Sequence, residues 1–193
     1  MIGNLDIEAT SGEFVTFTAN MMGKKMTDQS TPSVAYKSEN LFRARDVKVY
    51  LADTEVGLDT ADAICLNSVS LSINKNLYAH QCIGQVDIDS IYNQQFNVSG
   101  DFEALYTNTT YQDIVRNGTK KYMRIEIINT DVTLTGGGNP TITITLGKVA
   151  METREQSSDN NEIVTQTVGF VGSYNNDDGY TIKASMINER ESY

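Results

Sequence analysis

Apolar and polar residues alternate along most of this chain with a period of two. In 13–21, Val15, Phe17, Ala19 and Met21 share one face, with Thr16, Thr18 and Asn20 on the other. Val47, Val49 and Leu51 alternate with Lys48 and Tyr50, and Val69, Leu71 and Ile73 with Ser68, Ser70, Ser72 and Asn74. In 96–106, Phe96, Val98, Phe102, Ala104 and Tyr106 oppose Asn97, Ser99, Asp101 and Glu103. Gly100 interrupts that apolar face, which signals a bulge or a close backbone approach. Further strands are predicted over 123–128, 141–146 and 162–174. The turn residues of 175–179 predict a hairpin into a last strand, 180–187, with Tyr180, Ile182, Ala184 and Met186 together.

One segment breaks the pattern. Tyr111, Ile114 and Val115 have i, i+3, i+4 spacing, Thr110 can cap, Asp113 favours the N-terminus, and Asn117-Gly118 is a stop. A helix over 110–117 is too short to persist alone in water, so it must pack on a sheet. The expectation is a mainly β, antiparallel fold with one short flanking α-helix. The 193 residues suit one domain, and no internal repeat or boundary divides them. A polar stretch over about 22–40 predicts a long loop, a length usual for functional or mobile segments.

The net charge is −10, from 15 Lys+Arg against 25 Asp+Glu. Such a surface opposes tight sequence-independent nucleic-acid binding, which depends on Lys and Arg displacing phosphate counterions. It is compatible with solubility through self-repulsion, or with a surface that nucleic acid passes without sticking. No apolar run reaches the roughly 18–20 residues of a membrane span. Residues 1–6 have neither the basic flank nor the apolar core of a secretory leader. Cys65, in an apolar strand-like stretch, and Cys82 read as free thiols rather than a disulfide framework.

Catalytic chemistry finds little purchase. His80 is the only histidine, which removes multi-histidine metal sites and most nucleophilic triads. Cys82 lies two residues on, so a strand would turn both the same way; a structural pair is the simpler reading than an activated thiol. Asp87-Ile88-Asp89 starts like a calcium loop, but Ile91 stands where a third oxygen is needed. Asn175, Asp177 and Asp178 fit a tight turn better than a cation site. Gly136-Gly137-Gly138 lacks the Lys-Ser/Thr of a phosphate loop. The sequons at Asn97, Asn108 and Asn117 read as chance in a Thr/Asn-rich chain. Glu8, Glu13, Asp101, Glu103, Glu152, Glu155 and Glu162 read as solvated strand faces, since nothing pairs two of them across a cleft. No catalytic, cofactor-binding or metal residues, no cofactor and no enzyme activity are expected.

Several stretches in fixed order resemble the major tail tube protein of long-tailed, siphovirus-type bacteriophages. They are Gly12-Glu13-Phe14-Val15 through Met22-Gly23-Lys24, then Ser68 to Leu77 followed by Cys82-Ile83-Gly84, then Asp87-Ile88-Asp89-Ser90 and Phe96 to Glu103. The helix at 110–117, Ile163 to Phe170 and the ending Ile187 to Tyr193 complete the series. The resemblance covers about Gly12 to the end; proteins of this kind often carry more chain before that segment.

The resemblance implies a β-sandwich or barrel with one flanking helix. It implies a structural virion protein whose hexameric rings stack into a hollow tube, the channel for genome ejection. Its partners would be further copies of itself and other tail proteins such as the tape measure and tail terminator. DNA would pass through without sequence-specific binding, and no stable membrane insertion is implied. Assembly would occur in the bacterial host cytoplasm and the product would sit in the virion tail. The 22–40 loop is a candidate ring–ring contact. A tail completion or baseplate ring protein of the same fold, and a lectin- or adhesin-like binding module, are the alternatives.

Overall fold

The computed structural model describes residues 1–25, 41–157 and 163–189. Its strands are β1 (Ile2–Thr10), β2 (Thr16–Met21), β3 (Val47–Ala52), β4 (Leu66–Asn74), β5 (Leu77–His80), β6 (Ser90–Asn93) and β7 (Asn97–Leu105). After helix α1 (Thr110–Asn117) come β8 (Lys120–Ile128), β9 (Thr141–Gln156), β10 (Thr165–Gly172) and β11 (Ile182–Ile187). Nine strands make one sheet in the order β2-β1-β4-β7-β10-β9-β8-β3, with β11 also on β9; β5 and β6 form a separate hairpin. Every pairing in the large sheet is antiparallel.

The sheet curls into a half-barrel, as its apolar face requires. Ile7, Ala9, Val69 and Leu71 from β1 and β4 join Val49, Ile125 and Ile127 from β3 and β8 in one buried cluster. Strands far apart in sheet order thus share a core. The seam is closed at one end by an antiparallel bridge between Phe14 and Arg43, where Val15 N–H donates to Phe42 (2.9 Å) and Ala44 N–H to Glu13 (2.9 Å). Helix α1 packs Tyr111, Ile114 and Val115 on this core, with Tyr111 edge-on to Phe102 at 5.2 Å. Its C-terminal stop is Gly118 at φ 62°, as the sequence predicts, but its N-cap is Thr109 rather than Thr110. Thr109 Oγ1 donates to Asp113, and the Thr110 N–H donates to Asn108 Oδ1 (3.0 Å), so the entry is ordered one residue earlier.

Gly100 marks a close approach and not a bulge. Its register runs unbroken between Leu71 and Phe170, and a Cβ there would overlap the Ser70 carbonyl oxygen and lie 2.7 Å from Phe170 Cζ. Phe170 fills the space the missing side chain leaves, on the fully buried Phe102.

Four expectations change. β1 was not predicted, although Leu5, Ile7 and Ala9 alternate with Asp6, Glu8 and Thr10; it pairs with both β2 and β4. β9 runs ten residues past the predicted 141–146. The turn at 175–179 forms, yet β10 and β11 do not make a ladder beyond the Asn175–Tyr180 bridge. β9 is long enough to carry β11 on Thr141–Leu146 and β10 on Val149–Gln156, end to end along one edge. Cys65 lies exposed just before β4, not inside a strand. Of the predicted 22–40 loop, residues 26–40 lie outside the described residues, as does Glu162.

The corner leading to β11 is held by polar groups. Buried Asn175 donates through Nδ2 to the Gly147 carbonyl (3.0 Å), the Tyr122 hydroxyl (2.8 Å) and Asp178 Oδ2 (2.6 Å). Tyr180 stacks over Gly147, where a Cβ would sit 3.0 Å from its ring. Burial first, then the neighbouring Glu55 carboxylate, pushes the Tyr180 phenol up to about 12.

Two outcomes are expected. Gly100→Ala should cost about 1–3 kcal/mol by urea denaturation, since the backbone of Ser70 cannot retreat without breaking its ladder. For Tyr180, the folded state holds the phenolic proton more tightly than the unfolded chain does. The stability this gives is complete below pH 10 and falls as pH rises toward 12. Tyr180→Phe should flatten that part of an alkaline stability profile.

Candidate functional site: the polar face and the open edges

The outward face of the β2-β1-β4-β7-β10 half is set by register. Thr16, Glu8, Ser70, Asp101 and Gly169 stand in one cross-strand row, continued by Thr153 of β9. Beside it run Thr18, Asp6, Ser72, Ser99 and Val171 on one side, and Ser68, Glu103, Thr167 and Glu155 on the other. A last row holds Asn20, Asn4, Asn74 and Asn97. The rows contain the carboxylates Asp6, Glu8, Asp101, Glu103 and Glu155 and no Lys or Arg.

Neutral donors, not cations, hold these carboxylates. Asn4 Nδ2 donates to Asp6 (2.6 Å), Ser70 Oγ to Asp101 (2.7 Å) and Asn67 Nδ2 to Glu103 (3.0 Å). Among the described residues, ion pairs lie outside these rows: Lys121 with Asp53, Arg124 with Asp59 and Lys183 with Glu55 on the β3, β8 and β11 side, Arg45 with Asp131 near the seam, and Lys25 with Asp87 beyond the end of β2. No cation stands in these rows, and no ion pair to their carboxylates is found among the described residues.

Among the described residues, two edges of the sheet have no partner strand. Every residue of β2 is exposed, including Phe17 and Met21, so the face predicted for Val15, Phe17, Ala19 and Met21 exists but is bare. β11 pairs only with β9 and exposes Met186 and Ile187. β3, at the other end of the order, is covered instead: Ile64 N–H donates to Val49 (2.8 Å), and a 3-10 turn at Val56–Asp59 packs beside it. Long open edges bearing apolar side chains are templates for pairing with another chain.

The residues weighed for chemistry are scattered. His80 Nε2 and Cys82 Sγ meet at 3.6 Å past the end of β5, and both cysteines are free. Asp87 pairs with Lys25 (3.4 Å), and Asp89 accepts from Ser90. Asp178 Oδ2 already accepts from Tyr122 and Asn175, which makes the 175–179 turn a structural tie. Gly137 and Gly138 adopt positive φ in the β8–β9 connection. Glu13 lies beside the seam bridge and Glu152 is exposed on β9. Among the described residues, no group of three or more His, Cys, Asp or Glu is placed to hold a metal ion. What sequence reasoning missed was Asp6, because its strand was missed; its alternation with Leu5 and Ile7 was the available signal.

A family profile described as "Phage tail tube protein" matches residues 1–172. No curated protein matches the chain. Among solved structures it is similar to a chain of the anti-feeding prophage baseplate, six-fold symmetrised, at 14% identity over 84% of this chain and 99% of that one, TM-score 0.49. A chain of the same prophage's tube-terminating cap gives 10% identity over 82% and 97%, TM-score 0.49. A crystal structure of Hcp protein gives 12% over 73% and 98%, TM-score 0.36.

Proposed function

We propose, since the chain belongs to the phage tail tube protein family, that its copies join edge to edge into hexameric rings that stack as a hollow tube. The family is structural and not enzymatic, and its place is the virion tail. The observation that carries the finer reading is the cation-free acidic face of β1, β4, β7 and β10, flanked by the open edge of β2. Turned inward, that face makes a wall of Ser, Thr, Asn and carboxylate groups. It repels phosphate, so the genome passes through without being held. Phe17 and Met21 stand bare on the edge strand β2 of a single copy. Edge pairing covers them and satisfies the free backbone groups of β2.

The same reading has assembly in the host cytoplasm and contacts with the tape measure inside the tube and the tail terminator at its end. A tail completion or baseplate ring protein would make rings without stacking them.

Negative-stain electron microscopy across a concentration series tests this. Hollow tubes of uniform diameter and six-fold cross-section are expected. Rings that never stack would move the reading to a completion or baseplate ring, and monomers throughout would overturn it. The wall is tested by reversing four charges, Asp6→Lys, Glu8→Lys, Asp101→Lys and Glu103→Lys. Particles assembled with short duplex DNA should retain it in the variant and exclude it in the wild type. That retention should weaken steeply between about 50 and 200 mM salt.

A further inference from the structure

The two ends of β4 carry features that cannot meet in one molecule. At one end β5 and β6 project past β4 and β7 as a hairpin. Its tip is a tight turn in which Gln85 N–H donates to the Cys82 carbonyl (3.1 Å) and Gly84 takes φ +86°. Gln81 Nε2 donates to the carbonyls of Gln85 (2.9 Å) and Val86 (3.0 Å), and the Asp89 N–H donates to His80 (2.9 Å). Lys24 ties the hairpin to the end of β2 through the Asp89 carbonyl. These bonds hold Ile83 and Val86 out in solvent at 106% and 93% exposure, the highest among the large apolar residues described. A two-stranded hairpin has little stability to spare in water. Covering two such bare aliphatic side chains is favourable, because it removes their apolar surface from water.

At the other end, next to the Phe14–Arg43 bridge, the seam of the half-barrel holds a cleft of about 230 Å³ beside the β1–β2 turn. Ala9, Val49, Ile64 and Leu66 line it together with the polar Ser11, Arg45, Asn67 and Ser68. By volume it has room for an isoleucine side chain, with polar groups beside the apolar ones. β4 is nine residues long. Tip and cleft are thus separated by roughly 27 Å at the rise of an extended strand.

From this placement we infer that the hairpin tip of one copy seats Ile83 and Val86 in the seam cleft of a copy in the neighbouring ring. The inference rests on the tube reading above and supplies its axial contact. The two surfaces are different patches at opposite ends of one subunit, so the contact repeats without closing and generates a stack. Exposed charges of opposite sign flank them. Asp87, 55% exposed and paired with Lys25, adjoins the tip, and Arg45, 57% exposed and paired with Asp131, lines the cleft. The tip is already ordered before contact, so little freedom is lost on seating it.

The test uses the full chain with Cys65→Ser and Cys82→Ser, to which Ser11→Cys and Ile83→Cys are added. Within one molecule the two new thiols lie far beyond disulfide reach. Mild oxidation of assembled particles should give a ladder of linked copies on a non-reducing gel, and either single cysteine no more than dimers. In parallel, Ile83→Asp with Val86→Asp should keep rings and shorten tubes at least tenfold. Tubes of wild-type length in that variant, or no ladder from tubes that form normally, would overturn the inference and leave the tube reading standing. Wild-type protein that makes neither rings nor tubes would remove the tube reading itself.

Discussion

A sheet with one apolar face has to bury it, and among the described residues only an eight-residue α-helix is available as a second layer. Curling is the remaining solution, and the rest of the structure depends on it. Ile7 and Leu71 reach Ile125 and Ile127 only because the sheet bends back on itself. Gly100 makes the bend tight where the sheet is most crowded, by letting Phe170 lie on the strand beside it. The Phe14–Arg43 bridge then fixes one end of the seam and leaves the other residues along it packed by side chains alone. A half-barrel closed this way differs from a full barrel in one respect: it keeps edges.

Those edges are not blunted. Natural edge strands are commonly short, charged, bulged or covered. β3 follows that rule, with Ile64 and a 3-10 turn beside it. β2 carries no charged residue, and although β11 has Lys183, the two strands expose Phe17, Met21, Met186 and Ile187. Their apolar side chains are a liability for a monomer and an asset for a subunit. The difference between β3 and the other two edges is therefore informative: protection is applied to one edge and withheld from the others within the same sheet.

Much of this was legible in the residues, and the failures have physical causes. The alternation at Val69-Leu71-Ile73 and Val98-Phe102-Ala104 fixed both strand identity and inward face, because a one-residue slip would turn the whole apolar set outward. The helix was readable from its own stripe, and Gly118 marked its end. The far half of β9 was not readable, since Gly147-Lys148 and the polar 152–156 interrupt the alternation where the strand changes partners. The hairpin expected between β10 and β11 failed for a related reason. A turn's residues specify its local geometry, whereas the partner of the strand after it is chosen by tertiary packing. Buried Asn175 and half-buried Tyr180 at that corner direct β11 onto β9. The acidic face was visible only as single carboxylates, each reading as an ordinary solvated side chain. Register across β1, β4, β7 and β10 is what gathers them.

That gathering changes the meaning of the net charge. A charge of −10 spread evenly would be a statement about solubility alone. Here five basic residues are paired on the β3, β8 and β11 side and near the seam, as in Lys121–Asp53 and Arg124–Asp59, and no Lys or Arg stands in the rows of the polar face. The carboxylates of the polar face are met by serine and asparagine, which satisfy their hydrogen bonds without neutralising them. A hydrogen bond from a neutral donor leaves the field of the carboxylate largely intact, whereas an ion pair cancels it at a distance. Copies arranged around an axis would superpose these fields. In a narrow channel with protein walls the sum decays less steeply than over an open surface. The chemistry that keeps each carboxylate ordered is thus also the chemistry that preserves its charge.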